Sequence, residues 1–126
     1  MQSNTLSGIT ESQLSHNQEA LHYFKKGLSM TPRDNPEYDF RAVNLAAQLM
    51  KLGYNDDALK ILNEDIANSP GYSRALSNRG VILYQRGEIQ AAHEDAQNAL
   101  RMDANNAQAQ NLLNILNAPA PFPPSR

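Results

Sequence analysis

Two consecutive stretches of equal length decide the fold. Residues 39–72 read DFRAVNLAAQLMKLGYNDDALKILNEDIANSPGY, and residues 73–106 read SRALSNRGVILYQRGEIQAAHEDAQNALRMDANN. Aligned without an insertion, they place Gly53 opposite Gly87. Further aligned pairs match small residues with small ones or apolar residues with apolar ones: Ala58 and Ala92, Leu49 and Leu83, Ala46 and Gly80, Ile66 and Leu100, and Ala42 and Leu76. A fixed period of this length is typical of a repeat architecture.

Within each stretch the apolar residues follow helical spacing. The three-four rhythm that predicts one buried helix face is kept by Ala42, Leu45, Ala46, Leu49 and Leu52. Gly53 ends that run and allows the left-handed backbone of a helix C-cap. Asn55 can then cap a second helix, which stops before Pro70 because the residue preceding a proline avoids the helical region. Each stretch is therefore predicted to be a helix, a tight turn and a helix.

These residues resemble the tetratricopeptide repeat family, whose unit has about 34 residues, with small and bulky apolar residues at fixed places. Signature sites of the first stretch are occupied by Leu45, Ala46, Leu49, Gly53, Ala58, Leu62 and Pro70. Those of the second are occupied by Leu76, Gly80, Leu83, Gly87, Ala92 and Ala99. A half unit precedes them, with Ala20, Phe24, Leu28 and Pro32 at the places of a second helix. The resemblance spans about residues 17–106 and implies an all-α fold, a right-handed superhelix of antiparallel helix pairs.

The predicted organisation follows from these matches. It comprises a disordered N-terminus at 1–9, a repeat domain at 10–117 and a proline-rich tail at 118–126. The domain divides into a half repeat at 10–34, repeats at 39–72 and 73–106, and a capping helix at 106–117. Terminal repeats of a solenoid need such a lid. The tail favours extended polyproline conformation, and it is a candidate to dock a partner, to cover the chain's own groove or to stay disordered.

In the family the first helix of each pair lines a concave groove that binds partner segments. The groove-facing places correspond to Phe40, Val43, Asn44, Ala47, Met50 and Lys51 in the first repeat, and to Arg74, Ser77, Asn78, Val81, Tyr84 and Gln85 in the second. The closing helix adds Gln108 and Asn111. Asparagines one repeat apart suit an extended peptide, since each amide pairs with a backbone carbonyl and N–H. The alternative is that Asn44 and Asn78 support local backbone and that the two valines belong partly to the core.

Charge and composition narrow the partners. The net charge is −2, from 11 Lys and Arg against 13 Asp and Glu, which argues against nucleic acid. There is no cysteine, so neither a disulfide nor a thiolate metal site is available. No apolar run is long enough for a membrane span. The N-terminus lacks a secretory pattern, which favours the cytoplasm, or the periplasm if a signal has been removed.

No catalytic constellation is present, so we expect no enzyme, cofactor or metal. His16 and His22 are six residues apart, on different sides of a helix, and His93 lies beside acidic residues on an outer helix. None has a ligand partner at metal-binding spacing. No glycine-rich phosphate loop and no nucleophile motif occurs either.

The sequence therefore predicts a protein–protein interaction adaptor that binds an extended segment of a partner, with a bacterial assembly suggested by analogy alone. The alternatives are a structural component that assembles with further copies of itself through its repeat ends, and a regulatory subunit of an enzyme. A basic clamp for the C-terminal carboxylate of chaperones, found in one branch of the family, is not expected. Its basic places are not filled as a set, and Lys51 and Arg74 are isolated.

Two departures from the family pattern suggest a local contact. Arg79 replaces the usual leucine of a first helix, and Asp65 replaces the usual alanine of the preceding second helix. We expect an Asp65–Arg79 ion pair across the repeat junction, with outward-pointing side chains as the alternative.

Overall fold

The computed structural model describes residues 11–118, with side chains from Ser15 onward. This part of the chain contains helices and no strand, which confirms the all-α prediction. The helices are α1 (Glu11–Ser29), α2 (Tyr38–Lys51), α3 (Asn55–Asn68), α4 (Ser73–Gln85), α5 (Ile89–Met102) and α6 (Ala107–Asn117). The chain forms two compact units, one up to Ile61 and one from Leu62 onward, so their boundary falls within α3. The division of residues 10–117 into repeats stays a prediction.

The predicted glycine turns are present one repeat apart. Gly53 and Gly87 have φ angles of 87° and 83°. Behind Gly53, the Tyr54 N–H donates to the Leu49 carbonyl at 2.8 Å, and the glycine N–H donates to Met50 at 3.0 Å. The same two hydrogen bonds follow α4, from Glu88 to Leu83 at 2.9 Å and from Gly87 to Tyr84 at 3.0 Å. Both helices thus end in the same left-handed cap, which satisfies carbonyls that would otherwise lack partners.

In the first unit, α1 packs against α2. The buried side of α2 contains Ala42, Val43, Leu45, Ala46 and Leu49, and Leu21 is the buried residue among the α1 side chains from Ser15 onward. A polar contact supplements this packing, because the buried Gln48 Nε2 donates to the backbone carbonyl of Asn17 at 2.9 Å. The joint between the helices is closed by an Asn35 side chain that accepts from the Glu37 N–H at 2.8 Å. Since α2 supplies nearly all of the buried residues, it is the central element of this unit.

In the second unit, α4 packs against both α5 and α6. Leu76, Ala99 and Ala109 form a buried cluster. Small residues allow the close approach, since a Cβ added at Gly80 would lie 2.9 Å from Leu112 Cδ2. The same Cβ would lie 3.4 Å from the Ala92 carbonyl oxygen. A glycine at this position therefore brings α4 near the two helices that flank it.

The ion pair of Arg79 differs from the expected one. Its Nε and Nη2 atoms donate to both carboxylate oxygens of Asp95 at 2.8 Å, and Nη1 donates to Asn63 at 3.0 Å. The expectation that Arg79 pairs with Asp65 is wrong. The reason is topological: Asp95 lies on α5, the antiparallel partner of α4 within the same helix pair. The hydrogen bonds to Asp95 raise the pKa of Arg79, against the opposing effect of burial.

Candidate functional site

A groove between α4 and α6 is the best candidate site in the second unit. Its volume is about 460 Å³, and it is open to solvent. The lining residues are Val81, Tyr84 and Gln85 of α4 and Gln108, Asn111, Leu112 and Ile115 of α6. The two walls come from helices that pack closely around Gly80 deeper in the unit.

The groove is apolar at its floor and edged by neutral polar groups. Leu112 is buried, while Ile115 and Tyr84 remain 53% and 37% exposed. Three side-chain amides, from Gln85, Gln108 and Asn111, add hydrogen-bonding groups, and no lining residue carries a charge. Large apolar side chains that stay this exposed beside a concavity are typical of binding surfaces.

A chain of hydrogen bonds connects the start of α6 to this groove. Asn106 is the N-cap of α6, and its Oδ1 accepts from the Ala109 N–H at 3.0 Å. Its Nδ2 therefore has to donate, and it does so to Ser73 Oγ at 2.8 Å and Ser77 Oγ at 3.1 Å. Ser77 Oγ lies 2.7 Å from Gln108 Oε1 and 3.2 Å from the Arg74 carbonyl oxygen.

Because Asn106 is a helix cap, the hydrogen bonds run in one donor-to-acceptor order, from Asn106 to Ser77 and from Ser77 to Gln108. Because Ser77 Oγ accepts from Asn106, its single proton is available for donation, and Gln108 Oε1 is the nearer acceptor. Gln108 Oε1 is thereby held inward, so the Nε2 amino group of Gln108 is its outward group. Successive hydrogen bonds of this kind strengthen one another. The groove consequently presents a donor whose orientation is set by the helix cap beneath it.

The second-repeat residues predicted to contact a partner separate into two groups. Val81, Tyr84 and Gln85 line the groove together with Gln108 and Asn111. Ser77 and Asn78 are only 1% and 6% exposed, and Arg74 is exposed outside the lining. Ser77 acts within the hydrogen-bond chain, so its place in the site is beneath the surface.

The first-repeat residues all lie on α2, in the other unit. Phe40, Ala47 and Lys51 are exposed, and Asn44 and Met50 are half-buried. Val43 is completely buried, which places it in the core of its unit. The alternative interpretation of Val43 as a packing residue agrees with this burial.

Sequence reasoning missed two residues that form the floor and the rim. The sequence pattern assigns Leu112 and Ile115 only to the apolar side of the capping helix. It places Asn106 at the boundary of the second repeat and gives it no role. Its position directly before an apolar helix is the usual signal of an N-cap, which would have pointed to its part in the site.

The described histidines lie outside the α4–α6 groove. His16 and His22 are exposed, and His93 Nε2 lies 3.2 Å from Asn117 Oδ1. Among residues 11–118 no group of His, Asp or Glu side chains is arranged to hold a metal ion. Every helix of that range is also too short or too polar to cross a bilayer.

The sequence and the fold were compared with those of known proteins. No protein-family model matches the sequence. The chain is 32% identical over 100 residues to DnaJ homolog subfamily C member 7 of Homo sapiens and of Mus musculus. These alignments cover 79% of this chain and 19% of each relative, so the chain spans about a fifth of the length of those proteins.

Two solved structures are similar over most of the chain. One is the first TPR of Spaghetti (RPAP3) bound to the HSP90 peptide SRMEEVD, with a TM-score of 0.70 and 23% identity over 83% of this chain and 80% of that one. The other is the second TPR domain of human RPAP3 in complex with the HSP70 peptide SGPTIEEVD, with a TM-score of 0.66 and 20% identity over 83% of this chain and 84% of that one. Together with the shared repeat register and the paired helices, these likenesses show that the chain has the tetratricopeptide repeat fold.

Proposed function

We propose that this chain is a non-enzymatic adaptor that binds an extended segment of another protein. The observation that carries the proposal is the α4–α6 groove, in which an apolar floor is edged by uncharged amides. Two solved domains of the same fold have peptides bound to them, which supports a peptide as the type of ligand.

The lining suits an extended backbone. A peptide outside regular secondary structure carries backbone carbonyls and N–H groups that need partners when they leave water. Gln85 and Asn111 carry both donors and acceptors, and Gln108 adds its outward donor, so the three amides can pair with such a backbone. The apolar surface of Val81 and Leu112 then takes a side chain of the ligand. Backbone pairing supplies general affinity, and the apolar floor supplies selectivity.

The charge of the groove argues for a different ligand from those of the solved neighbours. Both of their peptides end in the acidic sequence EEVD. The second and sixth places of the unit that follows residue 106 are Gln108 and Leu112, both neutral. An acidic tail would lose its hydration there without gaining a cationic partner. We therefore propose a neutral segment, and not a chaperone tail, as the ligand.

Residues of α2 are proposed as further contacts in the first unit. Phe40, Asn44, Ala47, Met50 and Lys51 have accessible or partly accessible side chains. Their mixture of aromatic, amide and thioether groups fits an adaptable protein contact. Val43, Ser77 and Asn78 are proposed to support these surfaces from beneath.

The experiment is affinity capture with the full chain and two matched variants. Tyr84→Ala removes an aromatic ring from the groove, whereas Tyr23→Ala removes one from α1, where Tyr23 is 70% exposed. We expect partners to be retained by Tyr23→Ala and lost by Tyr84→Ala, because interface aromatics contribute disproportionately to affinity. Equal retention by both variants would contradict a role of the groove. Light scattering of the purified chain over a range of concentrations tests the alternative, since self-assembly requires growing particle mass.

A further inference from the structure

The α4–α6 groove contains an oriented hydrogen-bond donor, Gln108 Nε2, and its lining residues carry no charge. Gln108 Oε1 is engaged by Ser77, and among the described residues Gln108 Nε2 binds no acceptor. The Tyr84 hydroxyl and two further amides stand around the apolar floor. A ligand that complements Gln108 therefore supplies a carbonyl acceptor, and the uncharged apolar floor favours a neutral segment with an apolar side chain.

Proline-rich sequence has this chemistry, because each proline keeps its carbonyl and lacks the backbone N–H. The chain contains such a segment directly after α6. Residues 118–124 read APAPFPP, with four prolines, one aromatic ring and no charge. They lie beyond the described residues except for Ala118. This segment is the only uncharged, proline-rich, aromatic-containing stretch in the sequence.

The geometry of the helix end allows the segment to reach the groove. Ala118 has φ −70° and ψ 143°, which is polyproline II backbone. From there Phe122 is four residues away, about 12 Å at the rise of that conformation. Ile115, at the near end of the groove, lies three residues back along α6, about 5 Å at the helical rise. The segment is therefore long enough to reverse direction after Ala118 and to bring Phe122 beside Ile115.

We propose that residues 118–124 are an intramolecular ligand of the α4–α6 groove. Phe122 packs on Val81, Leu112 and Ile115, and a neighbouring carbonyl accepts from Gln108 Nε2. Ser77 is a positioning residue, since it holds the amide of Gln108 in the orientation that donates. A partner segment of the kind proposed above has to displace this tail, so the displacement step rests on the proposed function, whereas the occupancy does not.

Disulfide trapping in the full chain tests the proposal, and the absence of native cysteine makes the readout clean. The test variant combines Asn111→Cys in the groove with Pro123→Cys in the tail. The control combines Asn114→Cys with Pro123→Cys. Asn114 is exposed on the same helix, outside the groove lining and three residues nearer to the tail. A merely tethered tail therefore reacts with position 114 at least as fast as with position 111.

We expect the Asn111 pair to close as a monomer about tenfold faster than the Asn114 pair in a glutathione buffer, since occupancy raises the effective concentration of the thiols. Mass spectrometry after thiol labelling measures the rates. Equal rates, or a faster Asn114 pair, would overturn the proposal. Covalent dimers in place of monomers would also overturn it, because the groove would then hold the tail of a second copy.

Three additional substitutions test the contacts in the Asn111 pair. Phe122→Ala should abolish the rate advantage, as the ring is the anchor. Gln108→Glu replaces the donor by an acceptor and should reduce the advantage to near that of the control, whereas Gln110→Glu, an identical change on an exposed part of α6, should preserve it. Ser77→Ala should lower it severalfold, and Ser77→Thr, which keeps the hydroxyl, should restore it. If Gln108→Glu left the faster closure of the Asn111 pair unchanged, Gln108 Nε2 would not be the donor to the tail.

The trap and the capture experiment fail independently. If the Asn111 pair closes faster but Tyr84→Ala loses no partner, the tail proposal stands and the proposed function fails. If Tyr84→Ala loses partners but the two cysteine pairs close at equal rates, the proposed function stands and the tail proposal fails.

Discussion

The repeats at 39–72 and 73–106 share one register and fill it with different chemistry. Leu45 and Ile61 occupy in the first repeat the places that Arg79 and Asp95 occupy in the second. Two aliphatic side chains in one repeat thus correspond to a bidentate ion pair in the next, with side chains 25% and 5% exposed. The comparison shows that the same two places of the repeat are filled by aliphatic side chains in one repeat and by an ion pair in the next.

The ends of the two repeats differ in the same way. Tyr72 and Asn106 occupy equivalent places, and each is the N-cap of the following helix. Tyr72 makes no side-chain capping bond, whereas Asn106 accepts from Ala109 and donates towards Ser77. Of the two repeats, only the second therefore ends in a cap whose hydrogen bonds orient the residue that follows, Gln108.

The largest expected effect breaks the ion pair on one side. Arg79→Leu leaves the Asp95 carboxylate buried without its cation and should reduce the free energy of unfolding by about 3–5 kcal/mol. Arg79→Leu with Asp95→Ile installs the aliphatic pair of the other repeat and should return stability to within about 1 kcal/mol of the wild type, since hydrophobic replacements of buried pairs are near neutral. Urea denaturation measures both. A double variant as unstable as the single one would refute the equivalence of the two repeats.

A smaller effect is expected at the helix cap. Asn106→Ala removes the acceptor for the Ala109 N–H and the donor to two serines, and should cost about 2 kcal/mol. Asn106→Ser keeps a capping oxygen but cannot extend to Ser77, so it should recover about half of the loss. Thermal unfolding followed by circular dichroism measures the series. Identical losses in both variants would show that the serine contacts, and not the cap, matter for stability.

Exchanging the small residues of the two first helices sharpens the comparison further. Ala46→Gly should destabilise by about 1 kcal/mol, because glycine costs backbone entropy in a helix and a buried methyl is lost. Gly80→Ala gains the same helix term but sets a Cβ 2.9 Å from Leu112 Cδ2, so its net change should stay below about 1 kcal/mol. The ring current shift of the Leu112 methyl groups, measured by NMR, should report their movement towards the groove. An unmoved Leu112 would contradict the tight approach of α4 and α6.

The smallest effect is expected from an exposed ion pair. Arg41 of α2 and Glu37, the N-cap residue of that helix, form an ion pair at 2.8 Å, with side chains 44% and 65% exposed. Glu37→Gln should change the free energy of unfolding by less than about 0.5 kcal/mol, since solvent and salt screen such pairs. The matched change Asp95→Asn should cost several times more. If both substitutions changed the free energy of unfolding by similar amounts, burial could not explain why one ion pair stabilises the protein more than the other.

The predicted part of the fold and the site rests on local signals. Gly53 and Gly87 were predictable as helix ends because positive φ is a local demand on a single residue. Val81, Tyr84 and Gln85 were predicted to face the groove because the resemblance to the tetratricopeptide repeat assigns their places in the unit to that surface. A family pattern does not report how deeply a neighbouring helix covers a residue, and this is why the burial of Ser77 was not predicted.

By itself, the sequence determined the repeat length, the helix type and the places where helices end, since periodicity and turn chemistry act over a few residues. Only the tertiary structure decided that Arg79 pairs with Asp95 on the neighbouring helix, and that a cap at Asn106 orients an amide in a groove. Such contacts depend on which antiparallel neighbours meet and at what depth, and that choice is made by packing and not by any local residue pattern.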